Sequence, residues 1–200
     1  SLGVVFGDGA WPTFQWRSGR GVRRAVLPDR LAAAGARFGQ SAGWEYPLWF
    51  DPSTPPAEPE PTWQRPASFA PVAEEHRAVR EAVGVMDMSL MSKFLVQGPD
   101  AGTVLNRLSV SQVDGEVGRV VYTQWCDPGG GLLADLTVTK LATDRFLVVV
   151  SDVIHRRVES MLRRAPREGE VAVTTDVTSG TTLLSVQGPA SRDLLAALSH

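Results

Sequence analysis

The first residue of this chain equipped for chemistry is an aspartate in the middle of an apolar strand. Along Leu132-Leu133-Ala134-Asp135-Leu136-Thr137-Val138-Thr139-Lys140, side chains alternate between two faces of an extended backbone. Leu132, Ala134, Leu136 and Val138 share a wholly apolar face, which reads as core. Leu133, Asp135, Thr137 and Thr139 share the other. Aspartate is depleted in strands, so Asp135 either stands on a face open to water or lines a site; the pattern weighs the two about equally. Among apolar neighbours its charged form is disfavoured unless hydrogen-bonded, and such carboxylates serve proton transfer or cation binding. Tyr122 lies on the facing strand across the turn Asp127-Pro128-Gly129-Gly130-Gly131, within reach of the same face. An ordinary cross-strand aromatic is the alternative reading for it.

Other motifs of known chemistry are missing from the sequence. His76, beside Glu74 and Glu75, falls on the exposed face of a helix; His155 opens another helix before Arg156 and Arg157; His200 is terminal. All three read as surface residues, with no Ser-His-Asp or metal-ligand spacing. The glycine run lacks the Lys-Ser/Thr and the helix of a phosphate loop, and a hairpin turn accounts for it. No GxGxxG follows a strand. The single Cys126 permits neither an internal disulfide nor a paired-cysteine metal site, which points to a reducing, cytoplasmic compartment. A net charge of −2 argues against nucleic acid as a partner. No apolar run approaches a membrane span.

The elements that must position Asp135 and Tyr122 are legible from periodicity and punctuation. A phrase recurs: Phe94-Leu95-Val96-Gln97-Gly98-Pro99 and Leu184-Ser185-Val186-Gln187-Gly188-Pro189, each a strand, a Gly-Pro break and a helical pattern. Proline in the first helical turn loses no hydrogen bond. A spacing of about ninety residues is too long for a solenoid and indicates two similar lobes. Residues 73–83 predict an amphipathic helix ended by Gly84; 93–97 a strand; 100–108 a helix; 119–126, 132–141 and 145–150 a meander. Residues 153–164 predict a helix with Val153, Val158, Met161 and Leu162 buried, followed by strands at 171–177 and 182–187 and a helix at 190–198. The alternation is α+β, close to the ferredoxin-like βαββαβ plan.

The first third differs. Residues 28–39 carry a helical pattern ending at Gly39, and the apolar run Trp44–Phe50 must pack on a neighbouring surface. Eight prolines fall between Pro47 and Pro71, and 51–63 reads as an extended spacer. The expected organisation is a junction segment over 1–50, a Pro-rich linker over 51–65, a first lobe over 66–175 and the start of a second over 176–200, within a longer polypeptide.

Several stretches carry a family resemblance: Gly43-Trp44-Glu45, Pro47-Leu48-Trp49-Phe50, EEHRAVREAVGVMDMSLMSKFLVQGPDA, GRVVYTQWCDPGGGLLADLTVTKLATDRFLVVV and DVTSGTTLLSVQGPASRDLL. They resemble the aminomethyltransferase (glycine-cleavage T-protein) family, and within it the folate-binding C-terminal region of FAD-dependent dimethylglycine and sarcosine dehydrogenases. The resemblance covers 28–200 apart from the linker. It implies paired ferredoxin-like lobes and a small barrel around a folate cavity, with the second lobe incomplete here. It implies tetrahydrofolate as the one-carbon acceptor, an N-methyl amine as substrate, and an upstream flavin domain holding FAD.

By the same resemblance Asp135 is the functional aspartate, and Met91, Leu95, Tyr122, Thr137 and Thr139 line the folate site. From the residues alone, Met91 and Leu95 read as core. Ser151-Asp152 stands where the T-proteins often carry Asn, a departure on the amino-donor side. Two other readings compete: a non-catalytic folate-binding or structural module, and a free-standing aminomethyltransferase, which the tryptophan-rich front end disfavours. This segment alone is expected to be inactive, and the carboxylate is expected to face an enclosed hollow.

Overall fold

The computed structural model describes residues 18–53 and 62–199. The initial part of the junction and most of the Pro-rich spacer therefore lie outside the described residues. The chain divides into two compact units, one comprising Met91–Thr181 and the other Ser1–Leu90 with Thr182–His200.

The Met91–Thr181 unit contains strand β5 (Ser92–Gln97), helix α3 (Ala101–Leu108), strands β6 (Val120–Cys126), β7 (Leu132–Ala142) and β8 (Arg145–Val150), helix α4 (His155–Arg164) and strand β9 (Val173–Asp176). The sheet order is β6-β7-β8-β5-β9 and every pairing is antiparallel. With β6 set aside as an added edge, this is the ferredoxin-like order, its first strand β5 lying between the third and the last. One face of the sheet is buried: Phe94, Val96, Trp125, Leu136, Val138, Phe146, Val148 and Val150 pack with Leu105 of α3 and Val158 and Leu162 of α4. Each such side chain removed from water contributes about 1.5–3 kcal/mol, which holds both helices to that face. The one indole inside is satisfied, since Trp125 Nε1 donates to Ser109 Oγ at 2.9 Å.

Two expectations fail at element ends. Leu132 is exposed, because a register shift between Trp125 and Cys126 puts it at the frayed start of β7. Val153 is exposed too; a 3-10 turn over Asp152–Ile154 precedes α4 and rotates it off the buried stripe.

The other unit holds two sheets. Strands β1 (Arg23–Arg24), β2 (Ala36–Ser41) and β3 (Trp44–Phe50) form one, and β4 (Gly84–Asp87) pairs with β10 (Leu184–Gln187) in the other. Its helices are α1 (Pro28–Ala33), α2 (Phe69–Glu81) and α5 (Ser191–Leu198). The helix expected over 28–39 stops at Ala33. Gly35 takes φ +86°, and a Cβ there would lie 2.6 Å from Pro52 N, so the chain turns and Ala36–Ser41 becomes a strand. The aromatic run packs as β3 with Trp44 buried and Arg23 above its ring at 5.5 Å. Pro47 is accommodated beside an irregularity in β2 between Arg37 and Phe38.

Candidate functional site

The face of the five-stranded sheet that α3 and α4 leave uncovered carries the predicted residues. Directly paired residues share a face. Lys93 on β5 is paired with Val149, Val149 with Thr137, and Thr137 with Tyr122. The next row runs Leu95, Leu147, Thr139 and Val120. Asp135 is paired with Gln124 and lies diagonal to Tyr122. Leu95, Tyr122, Asp135, Thr137 and Thr139 therefore stand on one side of one sheet, and Met91 immediately precedes β5.

The contact that organises this face is a hydrogen bond from the Tyr122 hydroxyl to Asp135 Oδ2 at 2.9 Å. It fixes the carboxylate by a strong, charge-assisted bond. The turn between the two strands is held by Asp127, whose Oδ1 accepts the N–H of Gly129 and of Gly131 at 2.8 Å each. Gly130 within it adopts φ +84°. The hairpin reading of the glycine run is thus correct, and the turn sets the register that brings Tyr122 to Asp135.

Enclosure is where the expectation fails. Asp135 is exposed and Tyr122 is 61% exposed. The reason is topological: both helices of this unit pack on the opposite face, so nothing in α3 or α4 walls the carboxylate in. A cleft of about 190 Å³ occurs in the other unit, lined by Arg24, Ala25, Pro28, Asp29, Ala32, Phe38 and Glu45, none of them a predicted site residue. Among the described residues, no group of three His, Cys, Asp or Glu is placed to hold a metal, and no helix is long and apolar enough to cross a membrane.

Sequence reasoning missed two features around Met91. Lys93, between Met91 and Leu95 on the same face, is 1% exposed, and its Nζ donates to the Met91 carbonyl at 2.8 Å. His155, read as a surface residue, is largely buried: its Nδ1 meets Ser92 Oγ at 2.8 Å and its Nε2 meets Asp176 Oδ2 at 3.3 Å. A local signal existed only for the turn beside it. Asp-x-Ser at 87–89 and Asp-x-Thr at 176–178 recur in the sequence, and in each the aspartate Oδ1 accepts the N–H of the hydroxyl residue at 2.9 Å. The partners of His155 are 63 and 21 positions away, beyond any local pattern.

Comparison with known proteins gives the family of the chain. Residues 27–200 match the family model described as the GCVT N-terminal domain. The 4-methylaminobutanoate oxidase (formaldehyde-forming) of Paenarthrobacter nicotinovorans is 40% identical over 190 residues, covering 94% of this chain and 23% of the oxidase. An aminomethyltransferase of Thermotoga maritima is 28% identical over 178 residues, covering 88% of this chain and 43% of that enzyme. The crystal structure of glycine cleavage system aminomethyltransferase T from Bartonella henselae superposes with a TM-score of 0.71 at 26% identity, over 88% of this chain and 43% of that one. The chain spans less than half the length of each of these relatives. The family model covers both the Tyr122–Asp135 face and the two strand–Gly-Pro–helix repeats, and this chain belongs to the aminomethyltransferase family through its GCVT N-terminal domain.

Proposed function

We propose that this chain is the folate-binding, one-carbon-transfer portion of a flavin-dependent oxidoreductase acting on an N-methyl amino acid of the dimethylglycine or sarcosine type. The observation that carries the reading is the Tyr122–Asp135 pair standing open on a sheet face flanked by Thr137, Thr139 and Leu95. A face with one oriented carboxylate, hydroxyls and apolar side chains suits a flat, polar-edged ring such as a pterin. The relative's name adds support, since a formaldehyde-forming oxidase of a methylamino acid releases the one-carbon unit that such a module would capture.

Tetrahydrofolate, when bound, supplies the nitrogen pair that takes up the methylene. The residues of this chain bind and orient it. Tyr122 holds Oδ2 of Asp135, and among the described residues Oδ1 is open to a ligand. There it would accept an N–H of the reacting edge and stabilise the positive charge of a methylene-iminium electrophile. Preorganised charge of this kind is the expected source of rate, with no covalent step on the protein. Met91 and Leu95 would supply apolar contact to the ring, and Thr137 and Thr139 hydroxyl contacts beside it. The N-methyl amine would lose two electrons at FAD in an upstream domain, with residues 1–50 as the junction and 51–65 as the spacer. The two lobes would be divided as the sequence suggests, at 66–175 and from 176 on. Cytoplasmic placement accords with the exposed, free thiol of Cys126.

The test is Asp135→Asn in the protein that carries this chain. Formation of 5,10-methylenetetrahydrofolate should fall about 100-fold, the loss typical of removing one preorganised electrostatic group, while flavin reduction by the amine keeps its rate. Equal methylene transfer by variant and wild type would overturn the reading.

A further inference from the structure

We propose that His155 is a positioning residue for the Met91 end of β5, acting through Ser92 and Asp176. The inference rests on the reading of this sheet face as the folate side of the site. β5 is held along its length by two neighbours, but its ladder with β9 ends at the pair Phe94–Asp176. Beyond it, further contacts fasten the chain around Met91. The Val177 N–H donates to the Lys93 carbonyl at 2.9 Å, and the Lys93 N–H donates to Thr178 Oγ1 at 3.0 Å. Lys93 Nζ closes back on the Met91 carbonyl at 2.8 Å. His155 further ties β5 to the start of α4 and to the end of β9.

Of the two neutral tautomers of His155, one fits both contacts. A neutral imidazole with its proton on Nε2 donates to Asp176 and accepts the Ser92 hydroxyl at Nδ1, satisfying both contacts. The ring also packs on Phe94, centroid to centroid 5.0 Å at 43°. Ser, His and Asp in series invite comparison with a hydrolytic triad, and the geometry rules that out. Ser92 is 1% exposed and sits on the core side of the strand, so its oxygen meets no substrate. The chain of bonds instead fixes where residue 92 lies, and with it the neighbouring Met91 and Lys93. Side chains that act only by holding a binding segment are felt as affinity, since the segment must otherwise be ordered by the ligand.

The experiment uses the full-length protein with His155→Phe, which keeps a ring on Phe94, and His155→Asn, which keeps a polar group at the Nδ1 position toward Ser92. Amide hydrogen exchange over residues 91–94, measured without folate, should rise about tenfold in His155→Phe and return to within about threefold of wild type in His155→Asn. In turnover, KM for tetrahydrofolate should rise about tenfold in His155→Phe with kcat nearly unchanged, and His155→Asn should recover it. Unchanged exchange in His155→Phe, or equal losses in the two variants, overturns the proposal. If wild type fails to bind tetrahydrofolate while exchange responds as stated, the folate reading falls and the positioning role of His155 stands.

Discussion

The two Gly-Pro elbows of this chain are built alike and covered differently. In one unit, Gly98 follows β5 at φ +139°, where a Cβ would run into the carbonyl of Val171, and the Asp100 N–H donates to that same carbonyl at 3.2 Å. In the other, Gly188 follows β10 at φ +121°, a Cβ would run into the carbonyl of Ala82, and the Ala190 N–H donates to it at 3.0 Å. The correspondence continues down the strands. Val177 N–H bonds Lys93 O and Lys93 N–H bonds Thr178 Oγ1; Met88 N–H bonds Leu183 O and Leu183 N–H bonds Ser89 Oγ. The pairing is crossed in sequence: β4, from the first repeat, pairs with β10 of the second, and β9, from the second, pairs with β5 of the first.

Burial separates them. Phe94 is 0% exposed and its counterpart Leu184 is 46%; Leu105 is 0% and Leu195 is 51%. β5 has strands on both sides, whereas among the described residues β10 has one neighbour, β4. The aspartates differ as well: Asp176 Oδ2 meets His155, while Asp87 Oδ2 is buried with no hydrogen-bond partner among the described residues.

The largest expected difference tests that separation. Phe94→Ala should destabilise by about 3–5 kcal/mol and Leu184→Ala by less than about 1 kcal/mol, read by urea titration of this chain. A cost at Leu184 approaching that at Phe94 would break the contrast, since it would mean that β10 is covered. The shared feature is tested next. Gly98→Ala and Gly188→Ala should each cost about 2–3 kcal/mol, because both force a Cβ into left-handed backbone against a carbonyl. A harmless Gly188→Ala would show that only one elbow is rigid.

A smaller effect sharpens the comparison. Asp100 Oδ2 accepts the Val171 N–H at 2.8 Å, a bond that Ala190 cannot copy. Asp100→Ala should cost about 1 kcal/mol by the same titration. The reverse change, Ala190→Asp, should add almost nothing, because the Ala82 N–H is already committed to Ala78 O at 2.8 Å within its helix. A gain comparable to the Asp100 loss would contradict this.

The last difference is read as a slope with pH. The segment before β9 is clamped by Arg107, which pairs with Glu170 at 2.6 Å and donates to Ala165 O at 2.8 Å; in the other elbow, α2 is followed almost directly by β4. The hydrogen bond from Arg107, with one from the Arg167 N–H, lowers Glu170 from 4.5 to about 2. A carboxyl depressed by folding contributes stability above its unfolded value that is lost as pH falls through its folded one. The stability difference between wild type and Arg107→Gln should therefore be constant above about pH 5 and shrink on acidification toward pH 2. A difference that does not shrink over that window would remove the clamp as its cause.

Much of this was legible locally. The recurrent Val-Gln-Gly-Pro announced both elbows, the alternation around Asp135 separated a core face from a polar one, and the Asp127 turn told that Tyr122 would fold back toward it. The element from Arg145 to Val150 and those around it follow their periodicity within a residue or two. The failure at 28–39 came from a pattern of alanines that favours helix until a glycine in left-handed backbone ends it. His155 was misread because its neighbours in sequence are arginines and its partners are not.

Outside the segment 28–41, the order of residues by itself determined most of the strands and helices, where they break, and which side of β7 bears the carboxylate. These are decided by sterics and solvation within a few positions of each residue. Tertiary structure alone decided that the repeats pair crosswise, that Asp135 stands open while Lys93 and Ser92 are sealed, and that His155 finds Asp176. Those depend on which edges and faces remain when distant segments meet, and no interaction short enough to be encoded locally distinguishes the alternatives.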